Sequence, residues 1–250
     1  RQGRSITVKE MLQQALRTVR ENPINDSQLA FEFNQLLGTA LLKAGDYSHA
    51  LQQLTYAHSI NPNDLANKLA LTEAHIKEHN YAEAQQQLQA ITPDQINNKT
   101  RALFTYHELK GNIADFHEDF AEAQRHYKIA RQYAEQLNQP LLMARIIKEQ
   151  ANSLNLQDRN TEALSELSEA INDARDMWGE NHSATLGLRM ARIEIQQSLS
   201  ADDIADSLQE LNDLIPRLKQ FYQPNHPLVA KMMLFQSGAN QALGLSLIHI

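Results

Sequence analysis

A short pattern of aromatic and small residues recurs along this chain at a spacing of 34 residues. Tyr47-Ser-His-Ala50 reappears as Tyr81-Ala-Glu-Ala84, and Leu54 and Leu88 keep the same separation. Looser copies begin near residues 120 and 160. A repeat of this length is one supersecondary unit that buries its apolar face only by stacking on its neighbours. The pattern therefore predicts an array of similar units, and the many Ala, Leu, Gln and Glu residues favour helices.

The composition excludes several classes of protein. Of 250 residues, 8 are Gly and 7 are Pro, too few for a sandwich or barrel with many tight turns. The net charge of −7 argues against nucleic-acid binding, because phosphate contacts need clustered Lys and Arg. With no Cys, the chain has no disulfide, thiol nucleophile or Cys-ligated zinc. No apolar run is long enough for membrane insertion.

The first repeat carries the fullest set of large, small and helix-breaking residues, and each has a physical role. Gly38 and Ala50 let two antiparallel helices approach closely, Gly45 permits the tight turn, and Pro62 ends the second helix. The set resembles the tetratricopeptide repeat, which implies an all-α fold, a right-handed α-solenoid of helical hairpins. The residues of this chain that form the set are Leu37, Gly38, Leu41, Gly45, Tyr47, Ala50, Leu54, Ala57 and Pro62.

The repeat boundaries follow from this register. Residues 1–25 are expected to form an N-terminal capping helix and linker, in which Thr7-Val-Lys-Glu10 is a capping box. Residues 26–243 form the array, with units near 31–64, 65–98, 104–140, 144–182, 188–226 and a partial 228–243. Over the whole chain, the N-terminal helix included, about eleven or twelve helices are expected. The longer units resemble kinesin-light-chain-type repeats, whose linkers carry elements similar to those at His182 and His226. The apolar residues 244–250 are interpreted as a non-native tail.

The N-terminal part of the chain has a further resemblance. The stretch Gly3–Leu12, followed by Leu37-Gly38 and Gly45-Asp-Tyr47, is similar to a segment of bacterial serine/threonine kinases that lies between the catalytic module and a repeat array. This implies a sensor or interaction region with a kinase domain upstream. It also implies a periplasmic location if the family layout holds, and otherwise a cytoplasmic one. A free-standing repeat adaptor and the sensor arm of a transcription regulator are the alternatives.

Nothing in the chain predicts an enzyme. The stretch His107–Phe116 superficially looks like a compressed kinase catalytic loop, but Glu108 stands where the catalytic Asp is needed and His117 where Gly is needed. We therefore expect a plain repeat helix there. The ten His are scattered without a metal-ligand pattern, so they are interpreted as exposed or turn-packing residues, and no metal or cofactor is expected.

The resemblance to tetratricopeptide repeats implies that binding occurs on the inner face of the array, which the first helix of each repeat lines in that family. By register, basic residues of the fourth and fifth repeats meet there among Asn and Gln side chains. Such a surface suits an acidic peptide or a C-terminal carboxylate. A solvated face with accidental charge is the alternative, and the acidic and apolar groove of the first two repeats (Glu32, Leu42, Leu69, Glu73, Ile76) is the next candidate. The predicted peptide-binding residues are Asn112, Arg145, Lys148, Asn152, Asn155, Arg189, Arg192 and Gln196.

Overall fold

The computed structural model describes residues 8–222 and 226–244, and every regular element in these ranges is a helix. The predicted all-α class, a solenoid of helical hairpins, is confirmed. The helices are α1 (Val8–Glu21), α2 (Ser27–Lys43), α3 (Tyr47–Ile60), α4 (Leu65–Lys77), α5 (Tyr81–Gln89), α6 (Pro93–Ile96), α7 (Thr100–Phe116), α8 (Phe120–Leu137), α9 (Pro140–Leu156), α10 (Asn160–Trp178), α11 (Ser183–Gln196), α12 (Ala201–Phe221) and α13 (Pro227–Ala242).

The chain divides into two compact units, residues 1–130 and residues 131–250. The boundary falls inside α8. Each unit has apolar clusters of its own, contributed by successive hairpins. We refer to them below as the first unit and the second unit.

The first hairpin, α2 and α3, closes as the repeat pattern predicts. A Cβ atom added at Gly38 would lie 2.7 Å from Leu54 Cγ, so only glycine lets the helices approach this closely. Ala50 is completely buried in the same seam. Gly45 has a φ of 80° in the turn, a conformation that glycine adopts without strain.

The second hairpin, α4 and α5, departs from the regular pattern after α5. Pro93 occupies the first turn of the short helix α6, where its missing N–H costs nothing. This added helix contributes to a total of thirteen helices in the described ranges, against the eleven or twelve predicted. Lys68 is buried and donates through Nζ to the carbonyl oxygen of Ala90, 3.0 Å away, so α6 and the end of α5 are tied to α4.

The third hairpin, α7 and α8, also packs closely at a glycine. A Cβ atom at Gly111 on α7 would lie 2.6 Å from Cδ1 of Tyr127 on α8. Tyr127, Ala123 and Ala130 of α8 are all buried. The α8 helix ends at Leu137, close to the expected break before Pro140, where α9 begins.

The second unit contains the hairpins α9–α10 and α11–α12, followed by α13. Ala151, Ala163 and Leu167 are buried between α9 and α10, and Ser207 occupies the small-residue position of α12 with no exposed surface. His182 caps α11, because its Nδ1 accepts from the backbone N–H of Ala184 at 3.2 Å. His226 caps α13 in the same way. Both histidines shape helix starts, as the linker interpretation requires.

The N-terminal helix α1 packs on the first hairpin through Leu12, Ala15 and Leu16. The predicted capping box starts at Thr7, which lies outside the described residues, as do the rest of 1–7, the linker residues 223–225 and the apolar tail 245–250. The interpretations placed on those segments stay predictions.

Candidate peptide-binding surface

One face of α9 carries four of the eight predicted binding residues. Arg145, Lys148, Asn152 and Asn155 are spaced three, four and three residues apart, which places them in one line along the helix. All four are half-buried. Lys148 makes no hydrogen bond or ion pair within residues 8–222 and 226–244, so its ammonium group is available to a ligand. The two amide side chains can both donate and accept.

The helix α11 carries Arg189, which the structure places in an ion-pair cluster. Its side chain is only 6% exposed. Three carboxylates surround it, from Glu180 at 2.8 Å, Glu210 at 2.9 Å and Asp213 at 2.8 Å. Burial by itself would lower the pKa of Arg189, but hydrogen bonds to Glu210 and Asp213 outweigh that effect and raise it. A buried cation is tolerated only with such partners.

Arg192 shares one of these carboxylates. Its Nη2 lies 2.6 Å from Glu210 Oε2, and its Nη1 donates to Ser168 Oγ at 3.3 Å. Glu210 is only 8% exposed and lies between the two arginines, so it forms an ion pair with each of them. Two of the four expected cations thus already join α11 to α12, whereas Lys148 on α9 makes no such pair in the described part of the chain.

The remaining predicted residue of α11 is Gln196. It is 8% exposed, and its Oε1 atom is buried with no hydrogen-bond partner in the described part of the chain. A buried amide oxygen without a donor is costly. Because the atom is enclosed, the structure does not present Gln196 as an accessible acceptor.

Asn112 is in the first unit, whereas the other seven predicted residues are in the second. Its Oδ1 lies 2.9 Å from the hydroxyl of Tyr127, which also lies 2.6 Å from Asp115 Oδ2. The amide oxygen is thus held against the partner helix α8 within its own hairpin.

The kinase-like stretch is one continuous helix. Glu108, Asn112 and Asp115 all lie on α7, and Glu108 is 1% exposed. A kinase site needs a strand pair between its Asn and its metal-binding Asp, so this geometry does not form one. The expectation of a repeat helix is confirmed. In the described ranges no three His, Asp or Glu side chains are grouped to hold a metal ion.

The alternative groove of the first two repeats offers less free surface than its sequence suggests. Leu42, Leu69 and Ile76 are each buried in the apolar clusters of the first unit. Glu73 is half-buried and Glu32 is exposed. The apolar members fill the core of this unit.

A buried histidine pair was missed by the sequence reasoning. His107 on α7 and His126 on α8 have Nδ1 atoms 2.8 Å apart, and His126 is 3% exposed. Burial lowers the pKa of His107 to about 4, and His126, Lys110 and Arg125 act in the same direction. The interpretation of every His as exposed or turn-packing is therefore wrong for His126. The two residues are 19 apart, and no local pattern marks such a pair.

Comparisons with known proteins agree with this architecture. Residues 41–102 match the tetratricopeptide repeat family. The solved structure of the apo form of RapI covers 96% of this chain and all of its own, with a TM-score of 0.58 and 11% identity. A tetratricopeptide repeat protein from Parabacteroides merdae covers 92% of both chains with a TM-score of 0.43 and 10% identity. At these identities the RapI likeness concerns the fold alone. No curated protein matches.

No helix within residues 8–222 and 226–244 is both long and apolar enough to cross a bilayer.

Proposed function

We propose that this chain is a non-catalytic repeat scaffold whose second unit binds an acidic peptide or a peptide with a free C-terminal carboxylate. The tetratricopeptide match over residues 41–102 supports a protein-binding scaffold in general terms. The observation that carries the ligand class is the α9 face, where Lys148 has no partner in the described structure and lies one turn from Asn152. A ligand carboxylate pairs with the ammonium group, while amides hold the peptide backbone.

The α11 arginines have a supporting role in this proposal. Because Glu210 pairs with Arg189 and Arg192, these side chains hold α11 against α12. The α9 cations Arg145 and Lys148 supply the electrostatic attraction, which should weaken as salt rises.

The test is a binding titration with a defined probe. A fluorescent alanine–aspartate peptide with a free carboxyl terminus is compared with its C-terminally amidated form and with an alanine–lysine peptide. Wild type should bind the acidic peptide, and Lys148→Glu should weaken this binding about tenfold, the effect of losing a charge-assisted contact. Lys219→Glu, at an exposed position of α12, is the matched control. Equal affinity of wild type and Lys148→Glu would refute this ligand class.

The cellular context is a separate part of the proposal. The resemblance of residues 3–60 to kinase-associated segments supports a sensor or interaction region of a bacterial serine/threonine kinase. Reading the DNA upstream of Arg1 tests this directly. A kinase catalytic loop there supports the kinase context. A winged-helix domain supports a transcription regulator instead, and a start codon supports a free-standing adaptor.

A further inference from the structure

The first unit exposes a stacked pair of aromatic rings. Tyr81, at the start of α5, and Phe116, at the end of α7, have ring centroids 3.6 Å apart with an angle of 7° between the ring planes. Phe116 is 53% exposed. Single exposed apolar side chains are common, but here a second ring holds an exposed one in a fixed orientation.

Two histidines extend this pair into a row of four rings. His117 lies 5.2 Å from Phe116 at an interplanar angle of 68°, and His79 lies 6.2 Å from Tyr81. All four residues come from the turns that join the two helices of the second and third hairpins. We call this surface, formed by His79, Tyr81, Phe116 and His117, the aromatic edge.

The turns that form the aromatic edge are strongly acidic. Between residues 77 and 83 there are two carboxylates and one lysine, and residues 115–119 contain three carboxylates and no cation. Two of these three have structural partners, because Asp115 contacts Tyr127 and Asp119 accepts from the backbone N–H of Glu122. The side chain of Glu118, two residues after Phe116, is exposed and makes no hydrogen bond or ion pair within the described residues.

A cleft of about 240 Å³ adjoins the aromatic edge and shares His117 with it. Carboxylates of Asp119 and Glu122 line it, together with the ammonium group of Lys110. Lys110 lies over the ring of Tyr106, 5.1 Å from its centroid. The other lining residues are Gln85, Leu88, Gln89, Ile113, Ala114 and His126.

We propose that the aromatic edge binds an arginine-bearing segment of a partner protein. A guanidinium group is planar, so it stacks on the exposed surface of Phe116 while its N–H groups donate to carboxylates such as Glu118. Lysine has no planar group to stack, so the site should favour arginine. Nucleic-acid bases could also stack on these rings, but the surrounding carboxylates repel phosphate. This inference goes beyond the proposed function and concerns the other unit of the chain.

The first experiment tests the ligand class with the full chain. Fluorescent octapeptides of alternating arginine and glycine, lysine and glycine, or glutamate and glycine are titrated and followed by anisotropy. The arginine peptide should bind most tightly, the lysine peptide more weakly, and the glutamate peptide not at all. Absent binding of the arginine peptide, or equal binding of the arginine and lysine peptides, would overturn the proposal.

The second experiment tests the location. Phe116→Ala should weaken binding of the arginine peptide about threefold, which corresponds to losing one cation–π contact at an exposed site. Phe116→Leu keeps an apolar side chain without a ring and should weaken binding similarly. Phe221→Ala removes a phenylalanine of comparable exposure (56%) in the second unit and should have no effect. If Phe221→Ala and Phe116→Ala lose the same affinity for the arginine peptide, the assignment of its site to the aromatic edge would be overturned.

A third comparison tests the charge contribution. Glu118→Gln should weaken binding of the arginine peptide and reduce the dependence of this binding on salt. The control is Glu169→Gln, an exposed carboxylate of α10. Lys148→Glu should leave arginine-peptide binding unchanged, which separates this site from the acidic-peptide surface. An unchanged salt dependence in Glu118→Gln would contradict the proposed ion pair.

Discussion

In the third hairpin, the ring of Tyr127 fills the space that a side chain at Gly111 would need. A Cβ atom at Gly111 would lie 2.6 Å from Cδ1 and 2.8 Å from Cζ of the tyrosine ring. The ring cannot easily move aside, because Tyr127 is 1% exposed and its hydroxyl contacts Asn112 and Asp115. The missing side chain of Gly111 is therefore what allows α7 and α8 to pack at this distance.

Gly111→Ala is expected to destabilise the protein in spite of the better helix propensity of alanine. Overpacking costs about 1–3 kcal/mol, whereas the propensity gain is about 1 kcal/mol. Gly187→Ala on α11 is the matched control, because a Cβ atom there meets nothing within 4 Å. The free energy of unfolding, measured by urea denaturation, should fall for Gly111→Ala and rise for Gly187→Ala. A stabilised Gly111→Ala variant would show that the ring moves freely.

The carboxylate of Glu210 is expected to stabilise the α11–α12 hairpin. In Glu210→Ala, Arg189 keeps Glu180 and Asp213 but loses one buried partner, and Arg192 loses its carboxylate. Leaving buried donors unsatisfied should lower the free energy of unfolding by about 2 kcal/mol. Glu162→Ala removes an exposed carboxylate paired with Arg159 and should change stability little. Equal unfolding midpoints for the two variants would mean that Glu210 contributes no more than a surface ion pair.

Acidification should destabilise the third hairpin through the buried histidine pair. The unfolded chain protonates His107 near its ordinary pKa of 6.5, whereas burial and nearby cations lower its pKa in the folded state to about 4. The unfolded state therefore binds more protons between these values, so stability is full above pH 6.5 and falls as the pH drops toward 4. Burial also lowers the pKa of His126, although Glu122 opposes this shift.

The measurement is the urea midpoint between pH 7.5 and 4. His107→Gln should flatten this dependence, because it removes the imidazole whose pKa is lowered to about 4. His49→Gln is the control, since the side chain of His49 is 50% exposed on α3. The pKa of Glu122 is lowered to about 2 by its hydrogen bond to Arg125. Glu122 therefore loses its charge only at lower pH and does not contribute to the change in stability over the measured range. An identical pH profile in His107→Gln would assign the acid sensitivity to other groups.

The cap of α11 offers a prediction at the side chain of His182. His182→Ala removes the acceptor for the backbone N–H of Ala184 and should cost about 1 kcal/mol, the usual value of an N-cap. His182→Asn should retain most of the stability, because asparagine is a good N-cap residue. Thermal unfolding of the three proteins distinguishes the cases. If asparagine destabilises as much as alanine, the ring contact with Trp178 matters more than the cap.

The sequence alone determined the hairpins and the residues that close them. Gly38, Ala50 and Gly111 could be recognised from the sequence. In each repeat the two helices meet most closely at a fixed position, and only a small side chain fits there. The inner-face register of α9 could be derived for the same reason, since the helical period alone puts Lys148 and Asn152 on one line. The extra helix α6 was missed because a proline can begin a helix as readily as it ends one.

Only the tertiary structure decided which polar side chains are available on these faces. Arg189 and Glu210 are 21 residues apart on different helices, and they pair because of how α12 is rotated against α11. His107 and His126, and likewise Tyr81 and Phe116, meet across helices in the same manner. Periodicity predicts the face of a helix on which a side chain lies. Whether that side chain is neutralised, buried or free depends on the distance and rotation of the neighbouring helix, which local sequence does not encode.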